Sequence, residues 1–299
     1  MKRIIKNYSL LLGILILTVG LAYADNGEKR KTFTKTYSLS KNQKVIISNK
    51  FGEVKVNSWN RNEVRVDVTI IVAARNEAAT QRLLDNINIK TKEGISVTFT
   101  TEIANTNGNT NNAKMEINYI VYMPDDNPLD IKNEFGNTIL PDWKGALSVK
   151  ESFGSLTTGA LTNVKDIKVE FGSLTSTAIH NGSIKISYSK LKINTVSGAI
   201  SGKVDFCKGS TLGLSEALKN LDIKASYSDV IFNIPPNLNA NFDIELSFGD
   251  LKNKSTVTIT DNSSKSEYGP NFDKEFSGKI GSGNTPVIIK SSFGDITLK

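Results

Sequence analysis

The side chains with the most chemical potential in this chain are carboxylates that recur in one position. Asp229, Asp250 and Asp295, with Glu53 earlier, each stand two residues after an aromatic residue. If successive copies stack as strands about 5 Å apart, Asp229 and Asp250 would be close enough to share a calcium ion or to act as a glycosidase carboxylate pair. Other copies place Asn137, Ser155, Ser173 and Lys190 in the same slot. Asp, Asn and Ser also close turns by bonding local backbone, so a purely structural turn is the competing expectation. Trp59 in "NSWNRN" and Trp143 in "PDWKG" could stack on sugar rings or seal an edge of the fold. His180, the only histidine, lies in "AIHNGS", which reads as an exposed polar turn. No G-x-S-x-G phrase accompanies it, and "SGAISG" from Ser197 is spaced differently. Cys207 is the only cysteine, so a disulfide framework or thiolate cluster within one chain is excluded. It reads as an inert, part-buried thiol. No resident metal and no cofactor are expected.

These residues must be positioned by a repeat. Phrases such as "NEFGNT", "ESFGSL", "VEFGSL", "LSFGDL" and "SSFGDI" align on Phe51, Phe135, Phe153, Phe171, Tyr188, Phe206, Tyr227, Phe248 and Phe293, with a weak member at Tyr268. From Phe135 to Tyr268 the steps are 18, 18, 17, 18, 21, 21 and 20 residues, the signature of a repeat architecture. Four residues before the aromatic stand Ile47, Ile131, Val149, Ile167, Ile184, Ile223, Ile244 and Ile289; three after it stand Val54, Leu156, Leu174, Leu191, Val230, Leu251 and Ile296. That spacing is a strand pattern, and period-two alternation predicts that the aromatic shares the inward face with the residues two and four before it. The expectation is an interior aromatic ladder with a glycine corner after each ring. Ser189, Cys207 and Ser228 replace that glycine in three copies.

A copy of 17–21 residues is too short for a propeller blade and suits one turn of a stacked parallel coil. The predicted fold is all-β, a right-handed parallel β-solenoid with one short helix near 75–87, where "RNEAATQRLLDNI" has helical apolar spacing. Residues 1–24 read as a signal peptide: Lys2, Arg3 and Lys6, an apolar stretch from Leu10 to Leu21, and Ala22-Tyr23-Ala24 before the cut. Residues 25–130 read as a strand-rich capping part with an Asn-rich loop, "ANTNGNTNNA", and 131–299 as regular coils. The formal charge of +7 falls to +4 without the signal's three basic residues, too mild and too scattered for a nucleic-acid partner. No later segment approaches 18 apolar residues, so no membrane span is expected after cleavage.

At this point the chain resembles the bacterial putative-adhesin family, an adhesin-like β-solenoid domain found in exported proteins. The features that carry the likeness are "FGEVKVNSW", the strand–helix–strand run ending in "IVYMP", "LDIKNEFGNTIL", and "GSGNTPVIIKSSFGDITLK", which together span about Lys31 to Lys299. The resemblance implies a pectate-lyase-like right-handed solenoid and carries over no catalytic residues. The leading expectation is therefore a non-enzymatic scaffold or binding module, periplasmic, surface-bound or secreted, whose outer rows could lie along an envelope polysaccharide or protein. A carbohydrate-active enzyme on the solenoid flank is the alternative, and an envelope-stress accessory protein acting by partner binding is a third. After Arg82 there is no arginine, so a lyase base would have to be a lysine. Lys168, Lys185, Lys192 and Lys224 occupy alternate outward strand positions and read as a solvated face.

Overall fold

The structure is a computed structural model that describes residues 27–104, 113–264 and 272–299. The segment expected to be a signal peptide, nearly all of the Asn-rich loop and Tyr268 lie outside the described residues. The chain forms β1 (Lys29–Ser38), β2 (Lys44–Lys50), β3 (Val54–Ser58), β4 (Glu63–Ala73), helix α1 (Glu77–Asp85), β5 (Ile87–Lys92), β6 (Ser96–Ile103) and β7 (Lys114–Met123). It continues with β8 (Leu129–Glu134), β9 (Thr138–Leu140), β10 (Trp143–Ser152), β11 (Ser155–Glu170), β12 (Ser173–Ser187), β13 (Lys190–Asp205) and β14 (Ser210–Ser226). The remaining strands are β15 (Val230–Asn233), β16 (Ala240–Ser247), β17 (Leu251–Asn253), β18 (Thr258–Asp261), β19 (Asp273–Ile280), β20 (Thr285–Ser292) and β21 (Ile296–Leu298). All the strands belong to one hydrogen-bonded sheet of mixed direction.

Helix α1 forms where its apolar spacing predicts. Asn76 caps its N-terminus by accepting from the Ala79 amide at 2.9 Å, and Leu83 and Leu84 are buried. It packs against β4, β1 and β5, which belong to the antiparallel pairs β1–β4, β4–β7 and β5–β6.

Parallel pairing dominates the repeats. Before the aromatic position the neighbours run β6, β2, β8, β10, β11, β12, β13, β14, β20, β16. After it they run β7, β3, β9, β11, β12, β13, β14, β15, β21, β17. The apolar columns four before and three after the aromatic lie inward as their spacing predicts: Ile131, Val149, Ile167 and Ile184 are at most 3% exposed, and Leu156, Leu174 and Leu191 at most 2%.

Sequence order and stacking order part at the C-terminal side. Ile223 in β14 pairs with Ile289 in β20, not with Ile244, and Ile289 then pairs with Ile244 in β16. The phrase "SSFGDITLK" is therefore inserted between the repeats of Tyr227 and Phe248 rather than standing as the final rung. The sheet continues beyond β16 through antiparallel β19 and then β18.

The aromatic column also departs from expectation. The rings stack in the order Phe51, Phe135, Phe153, Phe171, Tyr188, Phe206, Tyr227, Phe293, Phe248, with centroids 4.7–5.2 Å apart and planes within 9°. Phe272, which belongs to no copy of the phrase, extends the stack from Phe248 at 4.9 Å. The ladder is not interior: from Phe135 onward the rings are 46–52% exposed. All nine phrase aromatics have φ between +49° and +62°. That left-handed step breaks the strand alternation and turns each ring outward, an uncommon conformation for a bulky residue. Phe293 accordingly points away from the core while Ile289 points into it.

The corner glycine has a different role from the bend assigned to it. None of Gly52, Gly136, Gly154, Gly172, Gly249 and Gly294 has a positive φ. What they permit is close approach between neighbouring backbones: a Cβ on Gly154 would lie 1.4 Å from the Gly136 carbonyl oxygen, and one on Gly172 1.7 Å from that of Gly154. Where Ser189, Cys207 and Ser228 stand instead, their side chains are buried and engage backbone. Ser189 Oγ accepts from the Gly172 amide at 3.0 Å, and Ser228 Oγ accepts from the Cys207 amide at 2.9 Å.

Candidate functional site

The inserted repeat decides the geometry of the acidic row. Asp295 lies between Asp229 and Asp250, so the two residues expected to be neighbours stand two rungs apart, about 10 Å. Two of the carboxylates cap the next backbone: Asp229 Oδ1 accepts from the Asp295 amide and Asp295 Oδ1 from the Asp250 amide, both at 2.9 Å. Asn137 does the same for Ser155 at 3.0 Å. The turn role is thus carried out across rungs rather than within one. Lys252 pairs with Asp295 and Lys274 with Asp250. The hydrogen bond from Lys252 is the main cause holding the Asp295 carboxyl below the usual range, with the Asp250 amide second. Phe248, Gly249, Asp250, Phe272, Lys274 and Asp295 line a surface depression of about 350 Å³. Among the described residues no three His, Cys, Asp or Glu side chains are grouped to hold a metal ion.

The two tryptophans are not brought to this row. Trp143 opens β10 and is 1% exposed, so it is a core residue and offers no surface on which a sugar could stack. Among the described residues its indole nitrogen has no hydrogen-bond partner. Trp59 is half-buried, 5.5 Å from Tyr122 and 5.1 Å from the Arg61 guanidinium, and its Nε1 donates to Glu63 O at 2.9 Å. His180 lies within β12 rather than in a turn, half-buried, with Nδ1 2.9 Å from Ser197 Oγ in the adjoining strand. Among the described residues no carboxylate bonds that ring, so the pair lacks the orienting acid of a triad. Cys207 is buried, and burial pushes its thiol pKa up.

A buried polar row escaped the sequence reading. In the first repeats the column two before the aromatic holds Asn49, Asn133 and Glu151, all at most 1% exposed, where later repeats have Val169, Ile186 and Val204. Asn49 donates to Asn133 Oδ1 at 3.3 Å, Asn133 approaches Glu151 at 3.5 Å, and Thr138 donates to Glu151 Oε2 at 2.6 Å. Reading that column for polar residues would have revealed it. Burial raises the Glu151 carboxyl to about 8, opposed by the Thr138 and Asn133 hydrogen bonds. A folded-state value above the unfolded one means the native chain holds the extra proton between about pH 4.5 and 8, so stability falls as pH rises through that window. This group contributes at most about 1.4 kcal/mol per pH unit. Glu151→Gln should flatten the decline of the unfolding midpoint between pH 5 and 8.5, read by circular dichroism. An unchanged pH profile would show that Glu151 is ionised in the native state.

The outward columns are the most regular polar feature. Lys132, Lys150, Lys168, Lys185, Lys203, Lys224 and Lys290 occupy one register across seven successive repeats. Lys132, Lys168 and Lys203 pair with Glu134, Glu170 and Asp205, and Lys290 with Glu245, at 2.7–3.2 Å. Part of this row, with Asp130 and Ser148, lines a second depression of about 340 Å³.

No family model matches the chain, and no curated protein matches it. Solved structures similar to it include a putative adhesin from Bacteroides fragilis, 11% identical over 90% of this chain and 97% of that chain, with a TM-score of 0.41. A putative adhesin from Parabacteroides distasonis is 12% identical over 90% and 97%, with a TM-score of 0.34. A putative cell adhesion protein from Clostridium sporogenes is 13% identical over 91% and 99%, with a TM-score of 0.26. Among the described residues no helix is long and apolar enough to cross a membrane.

Proposed function

We propose that the repeats wind as a right-handed parallel β-solenoid and that the chain is an exported, non-enzymatic, adhesin-like module of the cell envelope. It holds a polysaccharide or protein by weak contacts repeated along the stack. The observation that carries this reading is the lysine column: one residue type in one register over seven repeats, to which a linear partner lying along the stack can make many equivalent contacts. The parallel pairing with steps of 17–21 residues between Val149 and Ile223 supports the solenoid. The test is a glycan and envelope-protein binding screen on residues 25–299. Binding should strengthen with the length of the polymer, and flat responses across both sets would remove the proposal.

The second reading, a carbohydrate-active enzyme, draws on the depression that gathers Asp250, Asp295 and Lys274. A general acid for glycoside cleavage needs a raised pKa, whereas that of Asp295 is lowered. Reducing-end release from a polysaccharide panel, lost in Asp295→Asn, would reinstate this reading.

A further inference from the structure

We propose that the exposed aromatic stripe is the interface through which two copies of this chain lie side by side. The stripe is unbroken from Phe51 to Phe272, ten rings at 4.7–5.2 Å, so it runs about 44 Å over the surface. Nine of those rings are 46–52% exposed, and half of an aromatic side chain that can bury 150–250 Å² leaves roughly 900 Å² of apolar surface in one continuous row. The largest apolar patch on an ordinary monomer is about 300–600 Å². Laid stripe on stripe, two copies would bury roughly 1,800 Å² in total, inside the range of about 1,600 ± 400 Å² for a stable specific interface.

The geometry selects the occupant. Each ring's faces are covered by its neighbours in the stack, so only ring edges reach the surface along the row. A sugar needs an open ring face and finds none between the two ends. A second straight row of edges with the same rung spacing fits by an offset of half a rung, the self-complementary contact of a two-fold dimer. Beside the rungs of Phe135, Phe153 and Phe171 stand Asn137, Ser155 and Ser173, small and uncharged, which makes those three rungs the core of the contact; charged residues hold the same slot on other rungs, Glu53 beside Phe51 and Lys190 beside Tyr188 among them. This inference goes beyond the binding-module reading: a dimer would set two sets of outer rows parallel and double the contacts offered to one linear polymer.

The experiment is sedimentation equilibrium on residues 25–299 from about 1 to 200 μM, a range that brackets micromolar dissociation constants. The wild-type chain should be dimeric in the upper part of that range. Phe153→Asn/Phe171→Asn/Tyr188→Asn replaces three rings with a residue that tolerates the left-handed conformation, and should weaken dimerisation by about 100-fold or more. Because ring loss could also unsettle the stack, Ser173→Arg supplies an independent variant that keeps every ring and places a bulky cation beside the stripe; it should weaken dimerisation by about tenfold or more. A wild-type chain that stays monomeric at 200 μM, or a Ser173→Arg chain that dimerises as tightly as wild type, overturns the proposal. Neither result touches the glycan and protein screen, so the binding-module reading stands or falls separately.

Discussion

A chain shortened by residues 285–299 should lose its cooperative unfolding transition. The deletion removes β20 and β21, and with them Val287, Ile289, Ile296 and Leu298, each 0% exposed. At about 1.5–3 kcal/mol for each buried aliphatic side chain, the loss is roughly 6–12 kcal/mol, comparable with the whole stability of an ordinary domain, about 5–15 kcal/mol. Because β20 pairs on both edges, with β14 and with β16, its removal also strands two rows of backbone hydrogen-bonding groups. Thermal and urea unfolding by circular dichroism should show a broad, weak transition. A synthetic peptide of residues 284–299 added in trans should restore it, since the vacated gap has the width of one strand. A truncated chain that melts sharply at the wild-type midpoint would mean that β14 and β16 can pair directly.

Gly154→Ala should be the most damaging single methyl in the repeats. The new Cβ would sit 1.4 Å from Gly136 O and 2.6 Å from Glu151 Oε1, and the first of these is backbone that cannot rotate away. The repeats would have to separate locally, disturbing the ring stack on both sides, where Phe135 and Phe171 lie 4.8 and 5.0 Å from Phe153. Overpacking of this kind costs about 3 kcal/mol or more, which lowers the midpoint by roughly 6–12 °C for a chain of this size. Gly94→Ala is the control: nothing lies within 4 Å of its Cβ position and its φ is not positive, so its change should stay within about 0.5 kcal/mol. Equal effects at the two positions would refute the close-approach role of the corner glycine.

Much of this architecture is legible from spacing because a strand's alternation is a local property. The columns at Ile131, Val149 and Ile167, and at Leu156, Leu174 and Leu191, are buried as their period dictates. The same rule misplaces the aromatic column, since alternation assumes extended backbone and each ring sits on a left-handed residue. The insertion of β20 could not be read at all. Repeats with the same inward pattern are interchangeable as neighbours, and nothing in "SSFGDITLK" says that Ile289 should meet Ile223 rather than only Ile244. Phe272 was invisible for the opposite reason: it reaches the ladder from a connection outside the repeated phrase. At the acidic row the sequence offered both a turn and an ion site. The hydrogen bonds from the Asp295 and Asp250 amides engage two of the three carboxylates as caps, an outcome that depends on which rung follows which.

The out-of-order rung also imposes a schedule. A chain emerging N-terminus first, at about 5–20 residues per second, can lay each repeat from Phe135 to Tyr227 against one already in place. The repeat of Phe248 emerges next, yet its native neighbour on that side arrives 45 residues later, the separation of Ile244 and Ile289. For about 2–9 s at those rates β16 waits for that neighbour, and its antiparallel partner β19 reaches it only after 32 of those residues, with Phe276 opposite Ile244. The last repeat therefore closes the sheet like a keystone slid into a waiting slot, and the completion of folding is timed by the arrival of residues 285–298 rather than by the collapse of the repeats before them.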